Sequence, residues 1–142
     1  MNTEHIHPMI VHFPVALIII GFFAEIFSLF FKSEKCLSKA GFWLMILGTV
    51  AAIAAWVSGQ LFTSHPFDSG FMRLFEKHEK GALITMIVMV IGLIFRIWLV
   101  ARKKEATMLK WIAFGFYALG FIAVSVTGFV GGKMVYDFLI NK

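Results

Sequence analysis

Four long apolar segments, separated by short charged stretches, constrain the fold of this chain more than any other feature. From Pro8 to Phe31 the only charged residue is Glu25, and residues 40–67, 81–95 and 111–132 carry no charge. A membrane-spanning helix needs about 20 mostly apolar residues. Hydrophobic residues make up 60% of the chain, whereas soluble domains contain about 45–50%. We therefore predict an all-α, polytopic membrane protein.

The connections between the apolar segments determine the expected topology. We predict helices at about residues 8–31, 42–63, 70–101 and 109–136, within a single domain that covers residues 1–142. Short connections make neighbouring helices antiparallel. The expected architecture is a four-helix transmembrane bundle in up-down order.

The distribution of basic residues predicts the orientation in the membrane. Lys and Arg concentrate in cytoplasmic loops close to membrane ends. The first and third connections hold most of them: Lys32, Lys35, Lys39, Arg102, Lys103, Lys104 and Lys110. Both termini are then outside, in a multi-pass protein of the bacterial inner (cytoplasmic) membrane. The net charge of +5 needs no nucleic acid to explain it, because no polar segment is large enough to form a basic binding face.

The five histidines lie on the outer side in this topology, at His5, His7, His12, His65 and His78. The first and third helices run in the same direction and can lie diagonally across the core. Two imidazoles on such facing helices can ligate one haem iron or a metal ion. His7 and His12 are about 140° apart on a regular helix, so they cannot both face one point.

We therefore expect the cofactor ligands among His7, His12 and His78, and metal ligands among His12, His78 and His65. The alternative is that these histidines are hydrated at the membrane surface or bond to carbonyl groups. The cofactor is then haem b, a transition-metal ion, or none.

Other polar and small residues in the apolar segments are candidates for supporting roles. An intramembrane carboxylate is a functional hypothesis by default. Glu25 can therefore serve a proton path or pair with Arg96. Ser58 and Gln60, at the depth of the histidines, can donate hydrogen bonds to ligands. Small residues allow close helix packing or the approach of a flat cofactor, and those near the end of the fourth segment are Gly128, Gly131 and Gly132.

Three motifs resemble a bacterial membrane family called domain of unknown function 2231. They are HPMIVHFPVAL at the start, KHEKGALI around His78, and TGFVGGKMVY near the end. The resemblance implies a four-helix membrane domain, found with redox modules, in which haem binding has been suspected. The residues that match are His7, Pro8, His12, Phe13, Pro14 and His78. Some relatives have histidines where this chain has Phe129 and Tyr136, so a haem site here would use the first and third helices only.

Three functions remain open at this stage. The first is a small b-type cytochrome-like module, in which His78 and either His7 or His12 ligate haem and electrons pass to or from quinone or another redox partner. The second is a non-redox scaffold or accessory subunit. The third is transport of a transition metal or protons through the histidines and Glu25. No nucleophile–base set of an enzyme is visible, the bilayer is the expected partner, and the sequence leaves a homo-oligomer open.

Overall fold

The computed structural model describes residues 6–31, 35–63, 69–105 and 107–137. Its helices are α1 (Ile6–Ile10), α2 (His12–Phe30), α3 (Lys35–Phe62), α4 (Ser69–Ala101) and α5 (Leu109–Val135). Four spans are long and apolar enough to cross a membrane: His7–Phe30, Cys36–Phe62, Gly70–Ala101 and Leu109–Val135. These ranges contain no strand. The predicted all-α fold with four potential membrane spans is confirmed.

The first span is interrupted where its prolines predict a disturbance. Pro14 has no N–H, and its ring crowds the carbonyl group four residues earlier, which belongs to Ile10. The helix accordingly divides at Val11 into α1 and α2. Val11 keeps a helical backbone conformation, and its N–H donates to the His7 carbonyl at 3.1 Å. The two pieces therefore form a single membrane span.

The second span begins earlier than the sequence pattern predicts. Helix α3 starts at Lys35, whereas the apolar pattern places the start at residue 42. The intervening residues CLSKAG contain no proline, and Leu, Ala and Lys are good helix formers. Hydrophobicity marks where a helix enters the membrane, but the helix itself continues into the polar connection.

The helices are arranged as two antiparallel hairpins, α1–α3 and α4–α5. Helix α2 packs along α3 and α4 along α5, while α3 also contacts α4 and α2 contacts α5. The first and third spans are therefore diagonal, which is the arrangement that the predicted up-down topology allows. The core between the hairpins contains Phe22, whose ring stacks 4.6 Å from that of Phe121. It also holds Ile18, Met45, Ala52, Met89, Tyr117 and Val124.

Close helix contacts and an apolar outer surface indicate how the bundle suits a bilayer. Glycines allow neighbouring side chains to reach the backbone, as where Tyr117 packs against Gly21 and Met89 against Gly120. Such contacts are the main source of helix association in lipid. Large apolar side chains cover the outside, including Phe30, Ile94 and Phe129.

Charged side chains join the hairpins at one end of the bundle, which we call the ionic end (Glu25, Arg96, Glu105 and Lys110). The Arg96 guanidinium lies 3.2 Å from Glu25 Oε1 and 3.1 Å from Glu105 Oε1, and Lys110 Nζ lies 3.7 Å from Glu25 Oε1. Only 5% of the Glu25 and Arg96 side chains is exposed. Glu25 and Arg96 thus form a buried ion pair, the alternative to a proton path that the sequence analysis named for Glu25.

We expect the Glu25→Gln variant to lower the free energy of unfolding in detergent by up to about 3–5 kcal/mol, because it removes one partner of a buried ion pair. Glu76→Gln is the matched control, since Glu76 pairs with Lys80 at 3.8 Å on the surface. An exposed pair contributes about 0–1 kcal/mol. Equal losses in the two variants would contradict the assignment of Glu25 as a contact that holds the hairpins together.

Candidate functional site

Two histidines meet at the opposite end of the bundle, which we call the histidine end (His7, Ser58, His78 and Thr127). His7 lies on α1 and His78 on the first part of α4. Their ring centres are 6.4 Å apart, and the ring planes are nearly perpendicular at 82°. Both side chains are partly buried. The packing of α1 and α4 against α3 therefore brings the two imidazoles to one depth.

Each imidazole is held through its Nδ1 atom. His7 Nδ1 lies 2.9 Å from Ser58 Oγ, and the Ser58 hydroxyl donates to the Ala55 carbonyl at 2.9 Å. His78 Nδ1 lies 3.1 Å from the Thr127 carbonyl oxygen. A carbonyl group can only accept a hydrogen bond, so His78 Nδ1–H is the donor. When the Ser58 hydroxyl donates to the Ala55 carbonyl, it can only accept from His7, and His7 Nδ1–H is then the donor as well.

This arrangement leaves the same atom of both rings available. A neutral imidazole that donates from Nδ1 carries a lone pair on Nε2. Within the described residues, neither Nε2 atom takes part in a hydrogen bond. Histidines that ligate metals commonly donate their other N–H to a carbonyl or a similar group, which fixes the ring orientation. The histidine end therefore presents two oriented imidazoles with free Nε2 lone pairs.

Glycines make room for both rings against the helix backbones. A Cβ atom at Gly131 would lie 3.1 Å from His78 Cε1, and one at Gly59 would lie 3.1 Å from His7 Cε1. Gly131 is four residues after Thr127, so on a helix it lies one turn above the Thr127 carbonyl. The missing side chain allows the His78 ring to reach that carbonyl.

A small cavity lies beside the two imidazoles, between the hairpins. Its volume is about 50 Å³, whereas a cavity that holds one water molecule needs about 10–15 Å³ by the same measure. Gln60 Nε2 donates to Glu79 Oε1 at 2.7 Å and so connects α3 to α4 at the cavity. The lining residues are His7, Ala55, Trp56, Gly59, Gln60, Thr63, Phe75, His78, Glu79 and Ala82.

Comparison with known proteins places the chain in one family. The model of a family described as predicted membrane protein (DUF2231) matches residues 3–142. The chain belongs to the DUF2231 family. This agrees with the resemblance that the opening motif, His78 and the glycine-rich ending suggested. No curated protein and no solved structure gives a match.

In this DUF2231 protein, the remaining candidate histidines do not join the pair. His12 is exposed on the outside of the bundle, and its Nδ1–H donates to the Pro8 carbonyl at 2.7 Å. The structure thus brings His78 together with His7 and separates it from His12. His5 and His65, also considered in the sequence analysis, lie outside the described residues.

The supporting residues predicted for this DUF2231 protein separate in the same way. Ser58 and Gln60 are both at the histidine end, and Gly131 contacts His78. Gly128 instead faces Val15 at ordinary contact distance, and a Cβ atom at Gly132 would meet open space. Glu25 and Arg96 lie at the ionic end, away from the histidines.

Several residues of the cavity were not predicted from the sequence. Trp56, Phe75 and Glu79 line it, and the Thr127 carbonyl holds His78. Glu79 directly follows His78 in the charged stretch just before the apolar residues 81–95. This position next to a candidate histidine is the only sequence feature that points to Glu79. Every residue has a backbone carbonyl group, so the residue type at position 127 could not indicate that its carbonyl contacts His78.

We expect Gly131→Ala to disturb the histidine end and Gly132→Ala, its neighbour in open space, to leave it unchanged. The new methyl group at residue 131 would force the His78 ring away from the Thr127 carbonyl by a few tenths of an ångström. The side-chain NMR signals of His78 should shift in Gly131→Ala, and the unfolding temperature in detergent should fall. Similar spectra for both variants and the wild type would contradict this packing.

Proposed function

We propose that this DUF2231 protein is a membrane module that binds one transition-metal centre between His7 and His78, with haem iron as the first candidate, and uses it for electron transfer. The observation that carries the proposal is the pair of imidazoles with ring centres 6.4 Å apart, each held through Nδ1. Metal–nitrogen distances of about 2.0–2.1 Å place the rings of two opposite ligands about 6 Å apart.

The number of protein ligands favours haem. Among the residues that the structure describes, no group of three or more His, Cys, Asp or Glu side chains is arranged to hold a metal ion. A zinc site usually requires three or four protein ligands. Haem iron requires at most two, because the porphyrin supplies the other four, and axial histidine is a common choice. When bound, the haem would supply one-electron chemistry.

The space around the histidines fits a metal ion more readily than a porphyrin. A cavity of about 50 Å³ holds an ion with a few waters, whereas a porphyrin is much larger. Haem binding therefore requires the aromatic side chains that line the cavity, Trp56 and Phe75, to move outward. This observation supports a second candidate, a single copper ion ligated by the two imidazoles, since imidazole suits copper.

The location of the site is consistent with exchange of electrons at the membrane surface. Basic residues concentrate in the connections at the ionic end, and the positive-inside rule would place that end in the cytoplasm. The histidine end would then face outward, within reach of quinone or an extracytoplasmic redox partner. The imidazoles are only partly buried, so a metal centre bound between them would lie close to the protein surface.

Transport through the bundle receives less support from the interior of the protein. The hydroxyl groups of Thr49, Thr85, Ser125 and Thr127 donate to carbonyl groups four residues earlier in their own helices. They are therefore occupied and do not form a polar path between the two ends. A scaffold without a cofactor is the remaining alternative, and the spectroscopic experiment distinguishes it.

We expect the protein, purified in detergent from haem-replete cells, to show a Soret band that shifts on reduction with dithionite. His7→Ala and His78→Ala should each lose the Soret band or retain only a small part of it, because each removes one of the two side chains that would hold the haem. His12→Ala is the matched control and should retain the shift, since His12 lies outside the pair.

Elemental analysis of the same preparations separates the two metal sources. Haem iron gives an absorbance and one iron per chain. A bare copper site gives copper without a Soret band, and the copper is lost in His7→Ala and His78→Ala. A colourless and metal-free protein, after cells have received both haem and copper, would overturn the proposal and favour the scaffold.

We expect Ser58→Ala to weaken binding of the centre by about 10–100-fold, the usual effect of removing a hydrogen-bond partner of a ligating histidine. Ser58 is the only side chain among the described residues that forms a hydrogen bond with His7. Ser125→Ala is the control, because Ser125 donates to the Phe121 carbonyl within its own helix. Titration of the apoprotein with haemin or Cu(I) measures the affinity, and equal affinities in the two variants would contradict a role for Ser58.

A further inference from the structure

Two buried polar atoms at the ionic end have no hydrogen-bond partner in the described part of the chain. They are Glu25 Oε2 and the Tyr117 hydroxyl oxygen. Only 4% of Glu25 and 3% of Tyr117 is exposed. Glu25 uses its other carboxylate oxygen for Arg96 and Lys110. Buried polar groups in proteins are nearly always paired, and a bound water is a common partner where the protein supplies none.

A cavity of suitable size lies next to these two residues. Its volume is about 10 Å³, which is close to the minimum volume that one water molecule requires by the same measure. Glu25, Arg96 and Tyr117 line it, together with Gly41. A Cβ atom at Gly41 would lie 2.8 Å from Glu25 Oε2, so the glycine allows the carboxylate to pack against α3 beside the cavity.

We propose that this cavity binds a single ordered water molecule, which accepts the hydrogen of the Tyr117 hydroxyl and donates to Glu25 Oε2. A water has two donors and two acceptor positions, so it satisfies both atoms at once. The water connects α2 of one hairpin to α5 of the other, beside the Glu25–Arg96 pair. It thereby adds a neutral hydrogen-bonded contact to the charged contacts that join the hairpins.

The same site accounts for the close packing around Tyr117. The phenol ring lies in the core against Phe22, with ring centres 5.9 Å apart, and its hydroxyl reaches the backbone at Gly21. Gly21 is four residues before Glu25, one helical turn away. The hydroxyl therefore lies one turn of α2 from Glu25, and a water between them spans the remaining gap.

The sign of a stability change tests the proposal. If water bonds the Tyr117 hydroxyl, Tyr117→Phe removes a satisfied contact and leaves the water short of a partner, so the unfolding temperature in detergent falls. If the cavity is empty, the same variant removes a buried unsatisfied hydroxyl and the unfolding temperature rises. Tyr136→Phe is the control, because Tyr136 is 58% exposed, and its unfolding temperature should match the wild type.

An experimental structure at a resolution that shows ordered waters gives the direct test. We expect a density peak within hydrogen-bond distance of both Glu25 Oε2 and the Tyr117 hydroxyl, and its loss or displacement in Tyr117→Phe. An empty cavity, or a direct bond between the two side chains, overturns the proposal. An unfolding temperature of Tyr117→Phe equal to or above that of the wild type also overturns it.

Discussion

Every buried polar group in an apolar environment needs a partner within the protein, since lipid offers none. Apart from Glu25 Oε2 and the Tyr117 hydroxyl, which the proposed water would satisfy, the described part of this bundle meets that requirement in two ways. Hydroxyl side chains such as Thr49 and Thr85 donate to carbonyl groups within their own helices and need no hydrogen-bond partner on a neighbouring helix. The groups that remain, Glu25 with Arg96 and His7 with Ser58, bond between helices at the two ends of the bundle. The apolar core lies between them.

The Glu25–Arg96 pair, together with a second hydrogen bond at the histidine end, also holds the two hairpins in register. Van der Waals packing in the core, as between Phe22 and Phe121, is tolerant of small sliding movements because apolar contacts are not directional. The ion pair at one end and the Gln60–Glu79 hydrogen bond at the other are directional and fix one arrangement. The separation of the two imidazoles follows from that arrangement, since His7 and His78 belong to different hairpins.

Much of the fold could be predicted because apolar length and charge distribution are properties of the sequence itself. The start of α3 at Lys35 could not, because its polar residues are equally suited to a helix or a loop. The choice between His7 and His12 depended on which face of the first span packs towards α4, because the two residues lie about 140° apart on a helix. The hydrogen bond between His78 and the Thr127 carbonyl, and the cavity beside the histidines, form only when the helices pack together. The Glu25–Arg96 pair could be named as one of two alternatives for Glu25 because depth in the membrane can be counted along the chain.

The two ends differ in what they leave unsatisfied, and this difference separates their roles. At the ionic end, two carboxylates face two cations, so a neutral water is enough to complete the hydrogen bonding. At the histidine end, both Nδ1 atoms are used while both Nε2 lone pairs remain available within the described residues. Two oriented lone pairs are what the proposed metal centre would require, since a metal ion accepts an electron pair from each of its ligands.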